Sequence, residues 1–178
     1  VLKDVIKDAH NPDKPKAQKA QVETVNGHIA DMFMGNISGS VGETSALAWL
    51  IGGVFLLVRR TITWHIPIAV ILSALVTAQI ACWLDTTGEV YPNPLVHLTG
   101  GALMFGAFFI ATDPVSCPLT RLGRIIFGVG VGVITMLIRL IGGYPEGFMY
   151  AILLMNALTP LLDRWTRPTP QGGHVHVG

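Results

Sequence analysis

The chain has 178 residues, a net charge of +1, 51% hydrophobic residues and 13% charged ones, with a mean hydropathy of +0.54. Soluble domains carry roughly 25% charged residues, so this balance excludes an ordinary soluble domain and indicates an integral membrane protein. A charge of +1 argues neither way on nucleic acid, but no basic patch interleaved with aromatics is present, and no nucleic-acid partner is expected.

Residues 1–40 are the one soluble-looking stretch. Residues 1–10 alternate charge and apolar side chains, as in a short amphipathic helix, and Asn11-Pro12-Asp13-Lys14-Pro15 breaks it. Residues 14–26 have too few apolar positions to build a core. All the lysines fall here, at positions 3, 7, 14, 16 and 19. Residues 29–34 form a short apolar patch suited to a membrane surface. The start on VLKDVIKDAH, without Met, reads as a piece of a longer protein or a processed product.

Residues 35–45, GNISGSVGETS, lead into the apolar run SALAWLIGGVFLLV. Hydroxyls and free N–H groups at a helix start suit an anion or a polar ligand. Glu43 adds a negative charge there and suits a cap in the first turn. A plain Gly/Ser-rich cap explains the same residues.

Five apolar segments follow, at about 42–58, 64–84, 95–112, 122–141 and 147–162. Their short connections make sequential neighbours antiparallel. Arg59 and Arg60 follow the first segment, Arg121 and Arg124 the third, and Arg164 and Arg167 the fifth. The loops after the second and fourth carry no Lys or Arg. The basic side is cytoplasmic by the positive-inside rule, which puts residues 1–40 outside and the tail, 166–178, inside. Trp49 falls within a segment and reads as packing.

The third segment, from Leu95, ends in Thr112-Asp113-Pro114-Val115-Ser116. Proline disfavours helical geometry at Asp113, so the chain should turn there. A carboxylate, the Thr112 and Ser116 hydroxyls and freed carbonyls collect at one depth. They suit a hard cation; an Asp113 that caps the turn by accepting from backbone N–H groups explains them equally. Asp163, at the end of the fifth segment, is a second carboxylate on the same side, with Arg164 beside it as a ready ion-pair partner. Gly128 and Gly132 make a GxxxG face for close helix approach. Arg139, near the outer end of its segment, is expected to snorkel to the surface, or to pair with Glu146. His65 and His97 read as hydrogen-bonded interface residues, and His174-x-His176 as a solvated tail. Cys82 and Cys117 have neither C-x-x-C nor metal spacing and should not pair, since the topology places them at opposite faces. No Ser/His/Asp set, P-loop or catalytic carboxylate pair is visible, so no self-contained active site is expected.

The strings GSVGETSALAWLIGG, RRTITWHIP, GGALMFGAFFIATDPVS and RLIGGYPEGFMYAILLMNALTPLLD resemble the C-terminal half of the RnfD and NqrB family over residues 34–163. RRTITWHIP makes RnfD the closer match. The resemblance implies an all-α membrane fold: five transmembrane helices, some broken or short, forming one half of a ten-helix, urea-transporter-like inverted repeat. It implies a component of a redox-driven, ion-translocating oxidoreductase that moves electrons between ferredoxin and NAD, or a quinone-like acceptor, and couples them to Na⁺ or H⁺. It implies covalent FMN on a threonine upstream of Val1, since Thr24 and Thr44 do not match the attachment motif, with riboflavin as a second flavin. The expected partners are other Rnf- or Nqr-type membrane and flavin subunits, the N-terminal half of the same protein and the lipid bilayer. On this reading Gly42, Glu43, Thr44 and Ser45 border the flavin, and Thr112, Asp113, Ser116 and Asp163 line a cation path. The alternative is a facilitator of a small solute with the same kind of fold.

Overall fold

In lipid every backbone polar group must find its partner inside the protein, and an α-helix achieves this within one segment. The computed structural model describes residues 27–36, 45–84, 93–100, 102–141 and 146–167. Among these residues the chain forms helices and no strand. They are α1 (Ile29–Met34), α2 (Ala46–Val58), α3 (His65–Leu84), α4 (Pro94–Thr99), α5 (Leu103–Phe105) running into a π-helical turn (Gly106–Ile110), α6 (Arg121–Ile141) and α7 (Phe148–Trp165). Residues 1–26, including the amphipathic helix expected at 1–10, lie outside the described part, as do residues 37–44.

Among the described residues two helices are long and apolar enough to cross a membrane: α3 with 20 residues and α6 with 21, each about 30 Å long. Their outward stripes are large and apolar. Ile68, Leu72, Val76 and Ile80 are exposed along α3, and Ile125, Ile126, Val129 and Leu137 along α6. On a soluble protein such stripes would be an aggregation hazard; against lipid tails they are solvated.

α3 and α6 pack directly on each other, and glycine sets their spacing. A Cβ added at Gly128 would lie 2.7 Å from Ala69 Cβ and 3.0 Å from the Ile66 carbonyl oxygen. At Gly132 it would lie 2.6 Å from the Val70 carbonyl oxygen and would overlap Ser73 Oγ. The GxxxG face thus meets another helix, as its spacing suggests, and that helix belongs to the same chain. α7 lies on the other side of α6, where Phe127, Val131, Ala151, Ile152 and Met155 share one core with Ile66 and Val70.

The segments at 64–84 and 122–141 match α3 and α6 to within a residue. The first segment becomes α2, 13 residues or about 20 Å, short of a full crossing. Ser45 caps it: the hydroxyl accepts from Ala48 N–H at 3.3 Å and donates to the Met34 carbonyl at 3.3 Å. α1 thereby sits on the start of α2. Its Met32 is buried, and Phe33 packs among Ala46, Met104 and Phe108.

The third segment departs most from a continuous helix. α4 stops at Gly100, whose backbone is extended (φ −93°, ψ 136°), and the helix restarts after Ala102. The π-helical turn follows, closed by Ala111 N–H donating to the Gly106 carbonyl at 2.8 Å. The chain then turns through Thr112 to Ser116, where proline predicts it. The break at Gly100 is an addition that the apolar character of GGALMFG concealed.

Leucine at Gly128 or Gly132 should force α3 and α6 apart and destabilise the protein by about 3 kcal/mol or more. Alanine at the exposed Gly27, where a Cβ meets nothing within 4 Å, should be nearly neutral. Thermal unfolding of the purified protein in detergent would compare the three.

Candidate functional site

Two polar regions lie at different depths of the helical assembly. The first gathers at the end where α2 hands over to α3, the chain turns after the π-helical turn, and α7 finishes. Side-chain cross-links tie these loops together. Arg124 Nη1 reaches Thr63 Oγ1 at 3.5 Å while its Nε donates to the Pro118 carbonyl at 2.9 Å. Thr120 and Thr166 share a hydroxyl–hydroxyl hydrogen bond. Asp163 Oδ1 accepts from Leu119 N–H at 2.9 Å. The Arg59/Arg60, Arg121/Arg124 and Arg164/Arg167 pairs therefore share one end, as antiparallel segments require.

The candidate cation residues sit here. Asp113 is exposed; Oδ1 accepts from Val115 N–H at 3.3 Å and Oδ2 from the Ser116 hydroxyl at 3.1 Å. This is an Asx turn closing the proline bend. Thr112 is buried, and its hydroxyl donates to the Phe108 carbonyl at 2.6 Å within its own segment. Asp163 holds the middle of the same loop from α7. The structure thus brings Asp113, Ser116 and Asp163 to one loop and turns Thr112 back along its helix. Among the described residues no group of three or more His, Cys, Asp or Glu is placed to hold a metal ion. The two carboxylates flank Cys117. Its thiol pKa is raised, first by burial and then by Asp113 and Asp163, against the lowering influence of Arg124. No disulfide joins it to Cys82.

The second region is the break in the third segment. Arg139 does not snorkel: it is 1% exposed, and Nη1 donates to the His97 carbonyl at 2.7 Å. That carbonyl belongs to the last turn of α4, where helix carbonyls lack intrahelical partners and the helix dipole is negative. The Glu146 carboxylate, the partner the sequence suggested, keeps Oε1 buried without a hydrogen bond. His97 is no interface residue either. It is 3% exposed, and neither ring nitrogen has a hydrogen-bond partner. His65 stacks on Trp64 with ring centroids 4.2 Å apart, and its Nδ1 is buried without a partner.

The start of α2 lies beside this break. Ala46, Trp49 and Leu50 share a cluster with Leu98 on one side of the break and Met104 and Phe108 on the other. Trp49 packs against Phe105 at 4.6 Å and Phe109 at 5.5 Å between ring centroids, the packing role expected of it. Of the candidate flavin neighbours, Gly42, Glu43 and Thr44 lie outside the described residues. Ser45 is described, and both of its hydrogen bonds are spent inside the protein, on Ala48 and Met34.

The model of the NQR2, RnfD, RnfE family matches residues 2–172. The chain belongs to this family. It is 48% identical over 156 residues to the D component of the proton-translocating ferredoxin:NAD(+) oxidoreductase complex of Clostridium ljungdahlii, covering 85% of this chain and 46% of that protein. It is 47% identical over 139 residues to the D component of the Na(+)-translocating ferredoxin:NAD(+) oxidoreductase complex of Acetobacterium woodii, covering 77% and 41%. Against the D component of the ion-translocating oxidoreductase complex of Pseudomonas paraeruginosa it is 48% identical over 143 residues, covering 80% and 41%. The chain spans less than half the length of these relatives.

The Arg139–His97 contact is a structural feature that the sequence did not announce. The signal for it was an arginine in register with Gly128 and Gly132, at i+11 and i+7, on the face already assigned to close packing.

Two outcomes follow from this geometry. Replacing Arg139 with Met should remove a charged hydrogen bond worth about 1.5–3 kcal/mol and lower the melting temperature, with Arg139→Lys intermediate. Cys117 should stay protonated at neutral pH and react slowly with iodoacetamide. Its labelling rate should rise only above the usual thiol range, and Asp113→Asn should bring that rise to lower pH.

Proposed function

We propose that this chain works as part of an RnfD-type membrane component of an ion-translocating ferredoxin:NAD oxidoreductase. In that role it helps hold flavin in the membrane and couples electron flow, to NAD or a quinone-like acceptor, to Na⁺ or H⁺ movement. The observation that carries this reading is the 48% identity to the Clostridium ljungdahlii protein over 85% of the chain. The same comparisons favour the redox role over a small-solute facilitator.

We extend the two long apolar helices to five spans: α2, α3, the α4–α5–π segment, α6 and α7. These form one half of a urea-transporter-like inverted repeat in the inner membrane. The gathering of the arginine loops at one end supports placing that end and the C-terminal tail in the cytoplasm, with residues 1–40 outside. The partners are the other membrane and flavin subunits of the complex and the N-terminal half of the same protein.

FMN, held through a threonine upstream of Val1, and riboflavin would supply one-electron and two-electron transfer. Ser45 is committed to capping α2, so flavin contacts in this stretch fall to Gly42, Glu43 and Thr44. The α2 start lies beside the helix break, which is where a half-helix end with open donors suits a polar ligand.

Asp113 and Asp163, with Ser116 and Thr112 nearby, form the cytoplasmic reception point for the cation in this reading. Their present bonds to the Val115 and Leu119 N–H groups and the Ser116 hydroxyl hold the carboxylates in place.

The purified complex should be yellow and fluorescent, and colourless preparations that retain full electron transfer would overturn the redox reading. Asp113→Asn should keep flavin and assembly but lose most of the stimulation of electron transfer by the cation. Unchanged ion dependence would leave Asp113 as a turn residue.

A further inference from the structure

The middle of α7 holds a polar residue that the packing does not explain. Asn156 lies eight residues from the start of α7 and nine from its end, so a spanning α7 places it near the bilayer midplane. Its Oδ1 is buried and has no hydrogen-bond partner. An unpaired amide oxygen at that depth is unfavourable unless something occupies it part of the time. The residue four places on is Pro160, inside the helix. Proline has no N–H, so the main-chain carbonyl of Asn156 loses the donor it would have in an unbroken helix. One residue thus offers two oxygen acceptors: a side-chain oxygen without a hydrogen-bond partner and a carbonyl without its usual i+4 donor.

These oxygens are in line with others. Asn156, Thr159 and Asp163 stand at i, i+3 and i+7 and share one helix face. The single Thr159 O–H has two carbonyls within hydrogen-bond reach, Ser116 at 3.2 Å and Met155 at 3.1 Å. Asp163 accepts from Leu119 N–H on the same loop. The stripe therefore runs from the loop of Asp113 to the centre of α7.

We propose that Asn156, through its side-chain amide oxygen and the carbonyl that Pro160 leaves open, is a midplane sodium-coordinating step above Asp163. This rests on the cation-translocating reading given above and adds to it the ion and its ligands. Neutral oxygen dipoles replace the hydration shell of a metal cation. They do not titrate, so this step suits a metal cation rather than a bound proton, and the ion proposed for it is sodium. Thr159, whose hydroxyl is a donor with lone pairs to spare, is the link down to Asp163.

The test uses the assembled complex in liposomes at fixed pH, with sodium as the probe. Three quantities are read: radioactive sodium uptake, the sodium concentration for half-maximal electron transfer, and the rise in melting temperature with sodium over choline. Asn156→Ala should raise the half-saturating sodium about tenfold and reduce the melting-temperature rise, as expected for loss of one ion–dipole ligand. Pro160→Ala restores the N–H and closes the helix. It should also raise the half-saturating sodium severalfold while melting no lower than wild type, which separates an ion effect from misfolding. Wild-type sodium dependence in either variant would overturn the proposal. So would a wild-type complex that transfers electrons with flavin bound but neither takes up sodium nor responds to it, and this outcome leaves the redox reading standing. Absence of flavin and electron transfer in the wild type would instead remove that reading.

Discussion

The close contact of α3 with α6 determines where the other parts can sit. At Gly128 and Gly132 the two helices approach so nearly that α3 backbone oxygens occupy the place of a side chain. In lipid no hydrophobic force pushes helices together, so packing of this kind supplies much of the association. Once the seam is fixed, so is the rotation of α6. One face then carries Gly128, Gly132, Thr135 and Arg139 toward the interior, while Val129 and Leu137 face outward. The opposite flank of α6 takes α7, whose Met155 lies against Gly130.

Around this frame stand the elements that are not single long helices. α2 is short, and the third segment is interrupted at Gly100. Water is not at hand to satisfy the backbone groups such breaks release, so the protein must do it. Ser45 does this for α2, with Met34 of α1 as its second contact. Arg139 does it for the end of α4. The two interruptions meet through Ala46, Leu98 and Met104. Broken helix ends meeting inside a membrane protein are a recurrent way to present backbone dipoles to ions and polar ligands.

Much of this was legible in the sequence because the signals were long or chemically plain. Runs of twenty apolar residues locate α3 and α6, GxxxG marks their seam, and Thr112-Asp113-Pro114 marks a turn. The six loop arginines, in three pairs, predict that those loops share an end, and the Arg124, Thr120 and Asp163 cross-links bring them there. The candidate residues of that end were read as a group, and three of them meet at one loop, Asp113 and Ser116 from the loop itself and Asp163 from α7. Thr112 stands apart because a threonine in a helix can return its hydroxyl to the carbonyl four residues back, as it does to Phe108, which spacing along the chain does not reveal. The break at Gly100 was hidden for a different reason. Two glycines inside an apolar run keep hydropathy high, while extended backbone at Gly100 ends the helix.

That hidden break also explains why Arg139 was misread. An arginine three residues from the outer end of a span normally gains most by extending to water. Its alternative here exists because α4 ends inside the protein, at the depth the guanidinium reaches from the α6 seam. The end of a helix carries about half a negative charge on carbonyls with no intrahelical partner. In a low-dielectric interior that partial charge attracts a cation far more strongly than it does in water. The break thus needs a donor, and the Arg139 guanidinium supplies one. Neither residue set predicts the arrangement alone. Gly100 looks like a packing glycine and Arg139 like a surface arginine until the glycine seam brings them to the same level. Their pairing ties the interrupted segment to α6, and through α6 to α7, where Asn156 and Pro160 form the second place at which helical hydrogen bonding is incomplete.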